Sequence, residues 1–293
     1  MSRWDSREES TRPVSDSTQR GLGRVGGTDD HERQSEVRTL DVSRSEPRSR
    51  YRDRGRTYML RASEIQTMAD IGKFRALAAK DIEAFIYGGD KTRMESDISN
   101  LRRQRLILER DIPQHENPPR RLVALTREAR HLLAATKTVP EGQVLYHGFT
   151  KPREADHDTD LYKLYQRGLE KVSRDGGKNI RVILDAELKR ILYRDLVRTS
   201  EQGSGEGKSV IAERHGLRVV RDTIPVPDLR IEYETPEGEP ARLDLELATK
   251  HYRFRNIARK VQAGFSIYAR SQDAQNLRRV LDQREITAEI LNL

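Results

Sequence analysis

Apolar residues recur at Ile65, Met68, Ile71 and Phe74, the spacing of one helical face, and predict an amphipathic helix over residues 63–77. Residues 79–86 predict a second, short helix that Gly88-Gly89 stops. Asp90 is placed to cap a third helix over 92–105, with Met94, Ile98 and Leu101 inward. Leu106-Ile-Leu-Glu-Arg and Arg121-Leu-Val-Ala-Leu read as two strands around a polar, proline-containing loop at 111–120. Thr126 then heads a fourth helix with an imperfect capping box. Three helices, a hairpin and a helix make a winged helix-turn-helix over residues 58–136.

After a linker at 137–157, the period of 3.6 returns. Leu161, Leu164, Tyr165, Leu169 and Val172 predict a helix that ends at Gly176-Gly177. A strand at 180–184, a helix at 185–197, a glycine-rich loop at 199–208, a short helix at 209–215 and a strand at 217–220 follow. Val226-Pro-Asp-Leu-Arg-Ile-Glu-Tyr and Ala241-Arg-Leu-Asp-Leu-Glu-Leu-Ala-Thr-Lys then alternate apolar and polar positions, the pattern of a hairpin. A helix at 254–263, a strand at 265–269, a helix at 273–282 and a strand at 286–293 complete the order. A crossover helix after a hairpin implies a mixed sheet with helices on both faces, within residues 158–293.

Residues 1–57 break the pattern. They hold thirteen Arg, no Lys, eleven acidic residues and scattered apolar ones, which predicts a disordered tail. Its end, Arg48-Ser-Arg-Tyr-Arg-Asp-Arg-Gly-Arg, is suited to tracking phosphates. The whole chain has a net charge of +8, which favours an anionic partner, nucleic acid before membrane surface. No apolar run is long enough to span a membrane, and no apolar signal core opens the chain, so a cytoplasmic location is expected. The absence of Cys excludes disulfides, thiol catalysis and cysteine zinc sites.

Two sets of residues carry candidate chemistry. The third helix offers Lys91, Arg93, Ser96, Ser99, Asn100, Arg102 and Arg103 to double-stranded DNA, and the loop between the strands adds Arg120 and Arg121 as a wing. Cations meet phosphates, and Asn and Arg read base edges in the major groove. Glu95 and Asp97 in the same helix argue the other way. The second set is acidic. Asp228 opens one hairpin strand, and Asp244 and Glu246 share a face of the next. Asp228 and Glu246 are the candidate ligands for Mg²⁺, Glu187 a candidate third carboxylate, and Lys260 or Lys250 the candidate cation for phosphodiester cleavage. The position two after Glu246, where the usual catalytic Lys would stand, is Ala248.

With Asp185-Ala-Glu-Leu-Lys, Val226-Pro-Asp, Leu245-Glu-Leu-Ala-Thr-Lys and Arg259-Lys-Val following the helical region, the chain resembles the replication-relaxation family of plasmid and mobile-element proteins over about residues 60–290. Glu187, Pro227, Asp228, Glu246, Thr249 and Lys260 carry the resemblance. It implies a C-terminal domain of the PD-(D/E)xK, restriction-endonuclease-like α/β fold. It also implies a DNA-associated role in plasmid or mobile-element replication, relaxation or transfer, together with protein partners of such a system. Ala248 implies a degenerate nuclease site. The alternatives are an active Mg²⁺-dependent endonuclease, and a winged-helix transcriptional regulator whose C-terminal domain binds a partner or forms a homodimer.

Overall fold

The computed structural model describes residues 46–113, 119–136, 138–149, 155–201, 207–248, 254–282 and 290–293. The architecture is mixed α/β, and all these residues belong to one unit, Ser35–Leu293. A hairpin of β1 (Ser49–Asp53) and β2 (Arg56–Leu60) leads into α1 (Ala62–Lys73). Next come β3 (Ala76–Ala78), α2 (Ala79–Phe85), α3 (Lys91–Arg103), β4 (Ile107–Ile112), β5 (Arg120–Leu125) and α4 (Arg127–Thr136). The strands form an antiparallel sheet in the order β3-β5-β4. Asp90 caps α3 by accepting the Arg93 N–H at 3.0 Å, and the Thr126 hydroxyl accepts the Ala129 N–H at 3.2 Å at the head of α4.

The second half holds α5 (Ala155–Arg174), β6 (Lys178–Leu184), α6 (Asp185–Glu201), α7 (Lys208–Arg214), β7 (Leu229–Glu234) and β8 (Pro240–Ala248). It ends with α8 (Phe254–Gln262), β9 (Ser266–Ala269), α9 (Ser271–Asp282) and β10 (Ile290–Asn292). Its sheet runs β10-β9-β8-β7-β6. The β6-β7-β8 ladders are antiparallel, and β9 and β10 continue in parallel, because helices cross over between them. This is the mixed sheet that the order of patterns predicts.

The helix α5 joins the halves. Tyr162 is fully buried and meets Phe74 edge-on at 5.2 Å and Phe85 at 5.9 Å, while Tyr165 lies 5.1 Å from Phe74. The buried polar residues of its first turns draw in arginines from three places: Asp158 pairs with Arg75 at 3.4 Å and Asp160 with Arg270 at 2.8 Å, while the Thr159 hydroxyl accepts from Arg120 at 2.7 Å. Anionic groups are favoured near a helix N-terminus, so these pairs reinforce the helix as well as the packing. On its other face Gly168 lets the sheet approach. A Cβ there would come within 2.6 Å of Ile231 Cδ1 and 2.7 Å of Leu245 Cδ1. One apolar cluster therefore runs from Tyr58 to Tyr268, and a second, around Leu188, Ile211 and Ile267, fills the far side of the larger sheet.

Several expectations are corrected. Residues 46–57 are ordered: Tyr58 and Leu60 alternate into the core and Tyr51 packs against it, which holds the hairpin. The predicted disorder of residues 1–45 lies outside the described residues. The first helix ends at Lys73, where Arg75 turns to φ 66°, and Ala76-Leu-Ala becomes a strand beside β5. Ala and Leu favour helix locally, and sheet pairing overrides that preference. Residues 217–220 form no strand: Arg221 and Asp222 turn at positive φ, leaving a lone Val220–Thr223 bridge. The helix α6 runs to Glu201, into the predicted glycine-rich loop, of which residues 202–206 lie outside the described residues. Of the predicted last strand, Ile290–Asn292 form β10, and residues 286–289 lie outside the described residues. Within the predicted linker, the Tyr146 N–H donates to Gly72 at 2.7 Å and Gln143 bonds both backbone groups of Val182 at 2.9 Å.

Candidate functional site

The alternation of β7 and β8 decides where the acids go. Leu229 pairs with Leu245, so Asp228 and Glu246 fall side by side at the end of the ladder. The Asp228 N–H donates to Glu246 Oε2 at 3.2 Å, and the Leu247 N–H donates to Asp228 Oδ2 at 3.0 Å. Glu246 is 1% exposed. Lys260, on α8, reaches back and donates to Glu246 Oε2 at 2.7 Å and to the Val226 carbonyl at 2.5 Å, with its ammonium 5.6 Å from the Phe265 ring centre. A lysine absent at Ala248 is thus supplied from another element. Lys250, Thr249 and His251 lie outside the described residues.

His157, on the first turn of α5, brings Nε2 to 3.8 Å from Asp228 Oδ2. Burial opposes ionisation of Asp228, but His157, the Lys260 charge and the Leu247 N–H together hold its carboxyl below the usual carboxylate range. In return the Asp228 carboxylate raises the His157 imidazole above its ordinary value. Nothing local marks His157 in the sequence as a neighbour of Asp228, since only the docking of α5 on the sheet joins them. Beside the lysine, Thr223, Ile224, Pro225, Asn256, Arg259 and Lys260 line a pocket of about 210 Å³. Its donors suit an anionic group.

Glu187 does not join this pair. It sits in the first turn of α6, beside the Asp185 N–H that donates to the Asp228 carbonyl at 3.1 Å, but its carboxylate turns to Arg181 at 2.8 Å. Burial raises its pKa despite that arginine. Asp244 is also committed elsewhere: Arg230, only 3% exposed, clasps it with Nε at 2.6 Å and Nη2 at 2.8 Å. Among the described residues no group of three or more His, Asp or Glu side chains is placed to hold a metal. Carboxylate oxygens are the right donors for Mg²⁺, which needs about six ligands in a strict octahedron. Among the described residues the set stops at two carboxylates, and an ammonium ion already neutralises one of them. The residues present do not fit a resident Mg²⁺.

The candidate DNA face on α3 sorts itself by burial. Lys91, Ser96, Ser99, Arg102 and Arg103 are exposed. Asn100 is not available to a base: it is buried, donates to Glu64 at 2.8 Å and to the Met59 carbonyl at 3.2 Å, and accepts from Arg103 at 2.7 Å. Arg93 is half-buried and lies 3.7 Å from Glu46. Arg120 is held by Thr159, and Arg121 clasps Glu95 with one bond of 3.0 Å, so neither is a free wing cation. Residues 114–118 of the loop lie outside the described residues. The two acids that spoil the helix in sequence are both absorbed. Arg121 lowers the Glu95 pKa, and Asp97 is fully buried, accepting from Arg61 at 2.8 Å, Ser63 at 2.7 Å and Tyr87 at 3.1 Å.

Among the described residues no helix is long and apolar enough to cross a membrane. Comparison with protein-family models, with curated proteins and with solved structures finds no match to this chain.

Proposed function

We propose that this chain is a double-stranded-DNA-binding protein of the replication-relaxation type, acting in plasmid or mobile-element replication, relaxation or transfer. In this reading α1, α2 and α3 with the β4–β5 hairpin are a winged helix-turn-helix, and the larger sheet is a nuclease-like fold without a working metal site. One observation carries it: the outer face of α3 presents Lys91, Arg102 and Arg103 among small hydroxyls, while Glu95 beside them is paired with Arg121 and Asp97 is buried on Arg61. A helix with such a face suits the major groove, with cations on phosphates and hydroxyls near base edges. The element order supports the docking geometry, and the chain's net charge of +8 supports the electrostatics. The test is titration of duplex DNA at two salt concentrations. Binding that weakens steeply with salt is expected, and no binding at the lower salt would refute the reading.

A further inference from the structure

The arginines at the start of the described residues divide into two kinds. Arg48 and Arg61 are structural: Arg48 donates to Glu64 at 2.8 Å and Arg61 to Asp97 at 2.8 Å, inside the network beneath α3. Arg50 and Arg52 are not. They alternate with Tyr51 on β1, so they share the outer face of the hairpin with Thr57 and Met59, and both are exposed with no ion pair among the described residues. Two residues along a strand separate them by about 6.6 Å, a step comparable with that between neighbouring phosphates of one DNA strand.

The turn makes the same point. Arg54-Gly55 is a two-residue turn with φ of 48° and 77°, in which the first position ordinarily takes Asn, Asp or Gly. An arginine there accepts an unfavourable backbone conformation and sets a guanidinium at the hairpin tip, where it also lies 3.3 Å from His131 Nδ1 on α4. The hairpin is fixed to the end of α3. The Gln104 amide bonds both backbone groups of Met59, at 2.9 and 3.0 Å, and closes the free edge of β2. This contact fixes the hairpin to the C-terminal turn of α3, the turn that carries Arg102 and Arg103.

We infer that the outer face of the β1–β2 hairpin, through Arg50 and Arg52 with Arg54 at the tip, is a second phosphate-backbone site for double-stranded DNA, continuous with the C-terminal end of α3. The inference rests on the DNA-binding reading and extends its footprint beyond the helix and wing. Guanidinium groups take phosphate oxygens two at a time, and phosphates carry no sequence information, so the contact is independent of sequence.

The test is the salt dependence of duplex binding by the full chain and by Arg50→Ser/Arg52→Ser. Each phosphate contact contributes roughly 0.9 to the slope of log affinity against log salt, so losing two lowers it by about 1.8. The same fall is expected on unrelated duplex sequences, and Arg50→Gln/Arg52→Gln, which keeps side-chain length, should repeat it. Arg50→Lys/Arg52→Lys should restore the slope, and thermal melting of all three variants should match the parent. Parent binding with an unchanged slope in both neutral variants would overturn the hairpin site and leave the reading of α3 standing. Absence of duplex binding by the parent at low salt would overturn both.

Discussion

Lys260 Nζ lies 2.7 Å from Glu246 Oε2, and Glu246 is almost wholly buried. A buried carboxylate whose partner is removed keeps its desolvation cost, so Lys260→Met should lower stability by about 3 kcal/mol. The double variant Lys260→Met/Glu246→Leu should recover most of that loss, because it removes the charge together with its partner. Urea unfolding measures both. A single variant as stable as the parent would show that the pair does not hold the end of β8.

The same pair bears on chemistry. With two carboxylates, one of them bonded to lysine, duplex DNA incubated with the protein and Mg²⁺ should stay intact on a gel. Mg²⁺-dependent nicking that disappears in Asp228→Ala would restore the endonuclease alternative.

His157 should titrate above the usual histidine value of about 6.5, because Asp228 favours its charged form. The folded protein holds that proton more tightly than the unfolded chain. The pair therefore adds stability in full below about pH 6.5 and loses it as pH rises through the folded value. Asp228 works in the other direction. Its contribution is full above about pH 4 and declines as pH falls through its lowered folded value. NMR titration of the His157 ring should show the raised value in the parent and a return towards about 6.5 in Asp228→Asn. An identical midpoint in both proteins would separate the two groups.

On α3 the exposed and buried polar residues should behave differently. Arg102→Ala/Arg103→Ala should keep the fold and lower the salt slope of DNA binding by about 1.8. Asn100→Ala removes one donor from the buried Glu64 carboxylate, which keeps Arg48, and should cost about 1–3 kcal/mol of stability without changing base preference. A change in base preference in Asn100→Ala, with stability retained, would return that residue to the groove.

Tyr162 ties α5 to Phe74 and Phe85, so Tyr162→Ala should cost about 3–5 kcal/mol. Because the apolar cluster continues from the small sheet to the large one, the loss should appear as one shifted transition followed by both near- and far-ultraviolet dichroism. Two separated transitions would mean that the halves unfold independently.

Periodicity alone located most of the elements, including the three helices before β4, the hairpin of β7 and β8, and the crossover α8. It also placed Asp228 and Glu246 on facing strands, because a period of two fixes which side chains share a face. Asp90 and Thr126 were legible as caps for the same local reason. What local pattern does not contain is the partner. Ala76-Leu-Ala is a strand only because β5 lies beside it, and the arginine-rich hairpin is ordered only because Tyr58 and Leu60 find a core. Burial of Asn100, absorption of Glu95 and Asp97, diversion of Glu187 to Arg181 and arrival of His157 at Asp228 each depend on residues far apart in the chain. A side chain's charge and type are written in the sequence. Whether that charge is spent on a buried neighbour or left facing solvent is settled by packing, and that division separates Arg48 and Arg61, held by buried acids, from the exposed Arg50 and Arg52.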